Sequence, residues 1–299
     1  MKWLELSVRA PSEFVEPLSQ VFLRYGHGGV VVEEAGGYNP DEGETPPQPH
    51  RVTVKTYIPV DSTTEERRNR IDLGVRLVSY LGPITSLQEK VLEEEEWERA
   101  WRKHFHVLHI GKTIVVVPTW RDYQPKPSDV VIELDPGMAF GTGHHPTTRM
   151  CLELLEELVS PGMDVLDLGC GSGILSIAAA KLGAGSVYGL EIEPAAAAVA
   201  TSNVRENGAA RAVRIAQGSL PDTHIPKKGY DVAVTNISAK VISELAGELA
   251  AVVKPGGTLI ISGVLFDNQD AVKRALSAAG CALQRTVQDG DWVSLVASV

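Results

Sequence analysis

Asp167-Leu168-Gly169-Cys170-Gly171-Ser172-Gly173 is the stretch that decides the fold. Residues 163–168 read as a buried strand and residues 173–182 as a helix, so the glycines fill the turn between them. Glycine lets that turn bend sharply and leaves no Cβ in the way of a ligand. The helix start presents backbone N–H groups that have no partner inside the helix. Eighteen residues past Gly173, Glu191 closes the next apolar strand. A carboxylate there can accept hydrogen bonds from both hydroxyls of a ribose.

A dinucleotide fingerprint requires a third glycine at position 174, which is Ile174 here. The spacing is instead G-x-G-x-G with an acid two residues ahead of it. That form fits S-adenosylmethionine, whose methionine portion stands where a pyrophosphate would. Asp167, Gly169, Gly171, Gly173 and Glu191 are the cofactor-binding candidates. The alternative is a tight strand–helix turn that holds nothing. Strand, helix and downstream acid together favour a ligand.

Downstream, strands are expected at 186–190, 213–216, 230–234 and 258–262, with helices at 194–207, 239–253 and 268–279. Two last strands turn at Asp289-Gly290 and should be antiparallel. Alternation of this kind implies a mostly parallel sheet covered on both faces. Upstream, residues 110–117 and 130–134 read as strands. Residues 1–92 follow a β-α-β-β-α-β order: strand 2–9, helix 11–25, strand 30–34, strand 51–60, a helix from Asp61 to Tyr80, strand 84–92. The expectation is α/β: a C-terminal doubly wound, seven-stranded Rossmann-like domain over 110–299 and a smaller N-terminal ferredoxin-like α+β domain over 1–92. Residues 93–109, with Trp97 and Trp101 on one face, are expected to form a linker helix and hinge. The Gly-, Pro- and acid-rich residues 36–50 read as a mobile loop.

Composition narrows the partners. A net charge of −10 disfavours direct nucleic-acid binding and suits a neutral or basic partner. The N-terminus does not read as a signal peptide, and no apolar run reaches the ~20 residues that span a bilayer. A cytoplasmic monomer is expected, with no membrane contact. Three scattered cysteines suggest neither disulfides nor a metal site. His104, His106, His109, His144 and His145 lack the ligand count and spacing for a metal, so none is expected. The acidic run 93–96 is either a solvated helix face or an attractor for a basic substrate.

Two more stretches carry chemistry. Leu134 to Thr148 combines glycines, hydroxyls and two histidines before an amphipathic helix, and reads as a lid over the ligand. Within it Thr147 is expected to cap the helix. Asn236 follows the strand 230–234, at the carboxyl end where α/β sheets bind ligands, and its side-chain carbonyl can accept from an amine. Capping of the next helix by Asn236 or Ser238 is the other reading.

With these stretches in hand, the chain resembles the bacterial methyltransferases of large-subunit ribosomal protein L-eleven across essentially all 299 residues. Residues 135–148 read like that family's D-P-G-x-A-F-G-T-G-x-H-x-T-T, joined by Asp167 to Leu175 and by Asn236-Ile237. The resemblance implies S-adenosylmethionine contacts at Thr148, Gly169, Glu191 and Asn236. It puts Phe140 near the reactive end, so Asn236 and Phe140 are the catalytic candidates. The implied substrate is amino groups of that basic ribosomal protein, lysines and the N-terminal amine. Two positions depart from the pattern. Glu191 stands where Asp is frequent, and Ser238-Ala239 stand where Leu-Ala is common, which bears on the shape of the acceptor pocket. Methylation of another protein, an RNA or a small molecule, and a cofactor-free ribosome-assembly module, are the rival readings.

Overall fold

The computed structural model describes residues 2–11, 14–34, 51–93, 106–135, 143–222, 225 and 229–299. The loop 36–50, most of the linker 93–109 including Trp97, Trp101 and His104, and Phe140 with the centre of the 134–148 stretch lie outside the described residues. Contacts divide the chain into two compact units, Met1–Phe105 with Pro136–Met138, and His106–Asp135 with Ala139–Val299.

In the first unit β1 (Lys2–Pro11), β2 (His27–Glu34), β3 (Arg51–Pro59) and β4 (Gln88–Glu93) form a sheet in the order β2-β3-β1-β4, every neighbour antiparallel. Alternation along β1 sends Leu4, Leu6, Val8 and Ala10 into a core with Leu18 and Phe22 of α1 (Val15–Tyr25) and Ile71 and Val75 of α2 (Thr64–Ser79). Helix α1 starts four residues later than the sequence suggested, because Pro11 still belongs to β1. The strand expected from 84 begins only at Gln88. Strand β2 begins earlier than expected, with a shift in register between His27 and Val31 that the Gly28-Gly29 pair permits.

In the second unit seven strands form one sheet in the order β10-β9-β8-β11-β12-β14-β13. They are β8 (Asp164–Leu168), β9 (Ser186–Glu191), β10 (Val213–Gln217), β11 (Tyr230–Asn236), β12 (Val253–Leu265), β13 (Ala282–Asp289) and β14 (Trp292–Ser298). Only β14 runs against its neighbours, so the expected doubly wound, mostly parallel sheet is what forms. Both faces are covered, as the near-continuous apolar strands require. Val165, Val234, Ile260 and Val296 point into one core with α3 (Pro146–Leu158) and α4 (Ile174–Lys181). Leu166, Ala233, Leu259, Ile261 and Leu295 point into the other, against α6 (Ala239–Val252) and α7 (Gln269–Ala278). Helix α5 (Pro194–Glu206) opens with Pro194 in its first turn, where the missing N–H costs nothing.

Residues 110–117 are not one strand. They divide into β5 (Leu108–Ile110) and β6 (Ile114–Val117), antiparallel to each other, with β7 (Val130–Glu133) parallel to β6. Gly111 takes a φ of +60° in the turn, and the Lys112 and Thr113 N–H groups donate to Glu156 of α3 at 2.7 and 2.5 Å. A contact with a residue 43 positions away holds this hairpin, so local pattern did not announce it.

Candidate cofactor and acceptor site

Four β-strand ends and three helix starts converge at the carboxyl edge of the large sheet. Strand β8 ends in Gly169, Gly171 and Gly173, with φ of +76°, +54° and +83°. A Cβ on Gly169 would stand 2.4 Å from Ile237 Cγ2, and one on Gly173 3.3 Å from Ala200 Cβ. Glycine is thus required both for the left-handed backbone and for the close approach. The resulting hollow is a cavity of about 320 Å³ lined by Thr148, Leu168, Gly169, Cys170, Gly171, Ile174, Leu175, Glu191, Ile192, Gly218, Ser219, Asn236, Ile237 and Val241.

Of the residues expected from sequence, Thr148, Gly169, Gly171, Glu191 and Asn236 meet at this cavity. Asp167 and Gly173 flank it without lining it, and Phe140 lies outside the described residues. Ile192, Gly218, Ser219 and Val241 are additions that the sequence reading does not contain. The end-of-strand rule that points to Asn236 also points to the ends of β9 and β10, and applied there it reaches Ile192, Gly218 and Ser219. Val241 sits in the first turn of α6 and carries no local signal.

Glu191 is 8% exposed. Its Oε2 accepts from the Gly171 N–H at 2.9 Å and its Oε1 from the Glu193 N–H at 3.1 Å. Each oxygen retains a further lone pair, so the carboxylate is fixed in place and still able to accept from two hydroxyls. Asp167 is fully buried behind the glycines. Its Oδ2 accepts from Ser176 Oγ of α4 at 2.7 Å, while Oδ1 is buried with no partner. Burial pushes its pKa up to about 7; the Ser176 bond opposes the rise and the Glu191 charge adds to it. Burial, with the charges of Asp167 and Glu191 behind it, also drives the Cys170 thiol upward, so that sulfur stays protonated and unreactive.

Asn236 ends β11 on the same sheet face as Val234. Its Nδ2 donates to Thr148 Oγ1 at 3.3 Å, and its Oδ1 is buried without a partner. It does not cap α6. Ser238 holds the N-cap place there, with its backbone carbonyl accepting from Ile242 and no side-chain cap bond. The cap of α3 is a correction to the sequence reading. His145, not Thr147, occupies it, its Nδ1 accepting from the Thr147 N–H at 3.4 Å and lying 2.7 Å from Thr147 Oγ1. Pro146 forces the residue before it into extended backbone (φ −71°, ψ 138°), which is cap geometry, and itself fills the first helical position.

The only charged group lining the cavity, among the described residues, is the Glu191 carboxylate. Such a site favours a nucleoside that carries positive charge over one that carries a pyrophosphate. The model of the family described as ribosomal protein L11 methyltransferase (PrmA) matches residues 2–299. The chain belongs to that family. A ribosomal protein L11 methyltransferase of Chloroflexus aurantiacus is 44% identical over 98% of this chain and 97% of its own length. One of Pelotomaculum thermopropionicum is 41% identical over 99% of both. Among solved structures, a ribosomal protein L11 methylase of Lactobacillus delbrueckii subsp. bulgaricus superposes with a TM-score of 0.61 at 32% identity, over 65% of this chain and 98% of that one. Membership in the ribosomal protein L11 methyltransferase family agrees with the strand order and with a glycine turn suited to a nucleoside. No helix among the described residues is long and apolar enough to cross a membrane.

Proposed function

We propose that this chain is an S-adenosylmethionine-dependent methyltransferase that modifies lysine side chains and the N-terminal amine of large-subunit ribosomal protein L11. The observation that carries the reading is Asn236 Oδ1, a buried acceptor with no partner at a cavity whose one charge is a carboxylate. The family's name supports the choice of substrate.

S-adenosylmethionine, when bound, supplies a methyl carbon activated on a sulfonium. Gly169 and Gly171 let the backbone lie against it, Glu191 accepts from the ribose hydroxyls, and Asp167 fixes the turn from behind. A lysine amine, with an unperturbed pKa near ~10.4, must lose its proton before it can attack. Leu168, Ile174, Leu175 and Ile237 give the cavity an apolar lining, which disfavours the ammonium form through desolvation. Asn236 Oδ1 accepts an N–H of the neutral amine and aims its lone pair, and the Thr148 hydroxyl keeps the amide from turning. The released proton goes to water. Glu191, with both oxygens already engaged by backbone N–H groups, serves binding and not proton abstraction.

The unit containing β1 to β4 recruits the substrate, and the chain acts as a monomer without touching nucleic acid. Its net charge of −10 supports a basic partner. The test is to incubate the enzyme with methyl-labelled cofactor and purified ribosomal protein L11. Mass increments of whole methyl groups on amines are expected. Label on ribosomal RNA, or no label at all, would reject the reading.

A further inference from the structure

The sheet does not end level at the cavity. Asn236, the last residue of β11, pairs with Ser262, but β12 continues to Leu265. The ladder with β14 also continues, through Val264↔Val293 and Leu265↔Trp292. It does so by way of a register shift between Ile261 and Val264, where Gly263 takes a φ of +81° and a Cβ would stand 2.2 Å from the Ile237 carbonyl oxygen. Bulges of this kind re-aim a strand end beside a site. Three residues of overhang raise the end of β12 by about 10 Å above Asn236.

The overhang carries unusual surface. Leu265 is 37% and Phe266 48% exposed, side by side at its tip. The Phe266 N–H donates to the Asp291 carbonyl at 2.8 Å, tying this tip to the β13–β14 turn. Asp267 and Asp291, both exposed, flank the apolar pair. Below them Trp292 projects from the same face as Ser294, whose Oγ lies 2.7 Å from Ser262 Oγ. The Trp292 ring is steadied by His145, with centroids 4.8 Å apart and planes at 72°. An apolar pair between carboxylates, three strand residues beyond the partner of Asn236, is complementary to a polypeptide with basic side chains and an apolar anchor.

We infer that the overhang of β12 and the tip of the β13–β14 hairpin form the docking rim for the basic polypeptide segment that carries the acceptor amine. This rests on the functional reading above. Leu265 and Phe266 take an apolar side chain of that segment, Asp267 and Asp291 take its flanking cations, and Trp292 walls the path down to Asn236.

The test uses the full chain and purified ribosomal protein L11, with binding measured directly by calorimetry as well as by turnover. The exposed pair Asp267→Lys with Asp291→Lys, and separately Phe266→Ala, should each weaken binding of that protein about tenfold and raise KM in step. Affinity for S-adenosylmethionine should stay within twofold, and the charge-reversed variant should lose most of the salt dependence of binding. Wild-type affinity for the protein in both variants would overturn the proposal. Binding is measured without turnover, so its failure is distinct from failure of the functional reading. That reading fails instead if the wild-type chain leaves the protein's amines unmethylated.

Discussion

Asn236 Nδ2 lies 3.3 Å from Thr148 Oγ1, and that bond leaves the amide oxygen as the buried group without a partner. The nitrogen is spent on α3, so under the proposed function the carbonyl oxygen is the atom that receives the amine. Asn236→Ala should lower kcat at least about 100-fold, the scale of losing one positioning group at a reacting centre. The affinity for S-adenosylmethionine should change much less. Thr148→Val, which frees the amide to turn, should lower kcat about tenfold. Steady-state kinetics paired with cofactor calorimetry checks both, and an Asn236→Ala variant with unchanged turnover would remove this residue from the mechanism.

Glu191 offers a matching test of cofactor binding. Its carboxylate is held by the Gly171 and Glu193 N–H groups. Hydrogen bonds to a charged group contribute about 1.5–3 kcal/mol. Glu191→Ala should therefore raise the cofactor Kd by roughly 10- to 100-fold, while kcat at saturating cofactor falls far less. Calorimetric titration reads the first quantity and initial rates the second.

Asp167 makes stability depend on pH in an unusual direction. Its pKa rises from 3.8 to about 7 on folding because the carboxyl is buried. Between those values the unfolded chain has released its proton and the folded chain has kept it, so this group's contribution to stability declines as pH rises. Asp167→Asn keeps the acceptor for Ser176 and cannot titrate. The melting temperature of Asp167→Asn relative to the wild type should climb from pH 4 to pH 7 and level off above. A pH-independent difference would show that Asp167 is ionised throughout.

Gly263 sits where a side chain has no room. Placing Cβ there meets the Ile237 carbonyl oxygen at 2.2 Å and imposes a left-handed backbone on alanine. The backbone term alone costs about 1–2 kcal/mol, and the clash adds to it. Gly263→Ala should lower the denaturation midpoint accordingly. Because Ile237 follows Asn236, kcat should fall as well.

His145 caps α3 through its ring nitrogen. His145→Ala should cost about 1 kcal/mol of stability by thermal melting, and His145→Asn should recover most of it.

The parts that could be read along the chain are those fixed by neighbours in sequence. The glycine turn at 169–173 follows from steric need, and Glu191 from its place at the end of the next strand. The mostly parallel large sheet follows from alternating periodicities that leave few ways to cover both faces. The hairpin at Gly111 and the cap at His145 were not legible in the same way. The first depends on Glu156 across 43 residues, and the second on how Pro146 restricts the residue before it, a stronger constraint than the cap preference of Thr147. Sequence left Asn236 with two readings, and the capping one falls because Ser238 holds the N-cap place of α6.

By itself, then, the amino-acid order determined a glycine turn at 169–173 with an acid at the end of the next strand, an α/β sheet around it, and a resemblance that named a family. Tertiary structure alone decided which atom of Asn236 is left unsatisfied, why burial raises the Asp167 carboxyl, and that β12 runs on past Asn236. Backbone preference acts over a few residues, whereas burial and the pairing of polar groups depend on segments that meet only after folding.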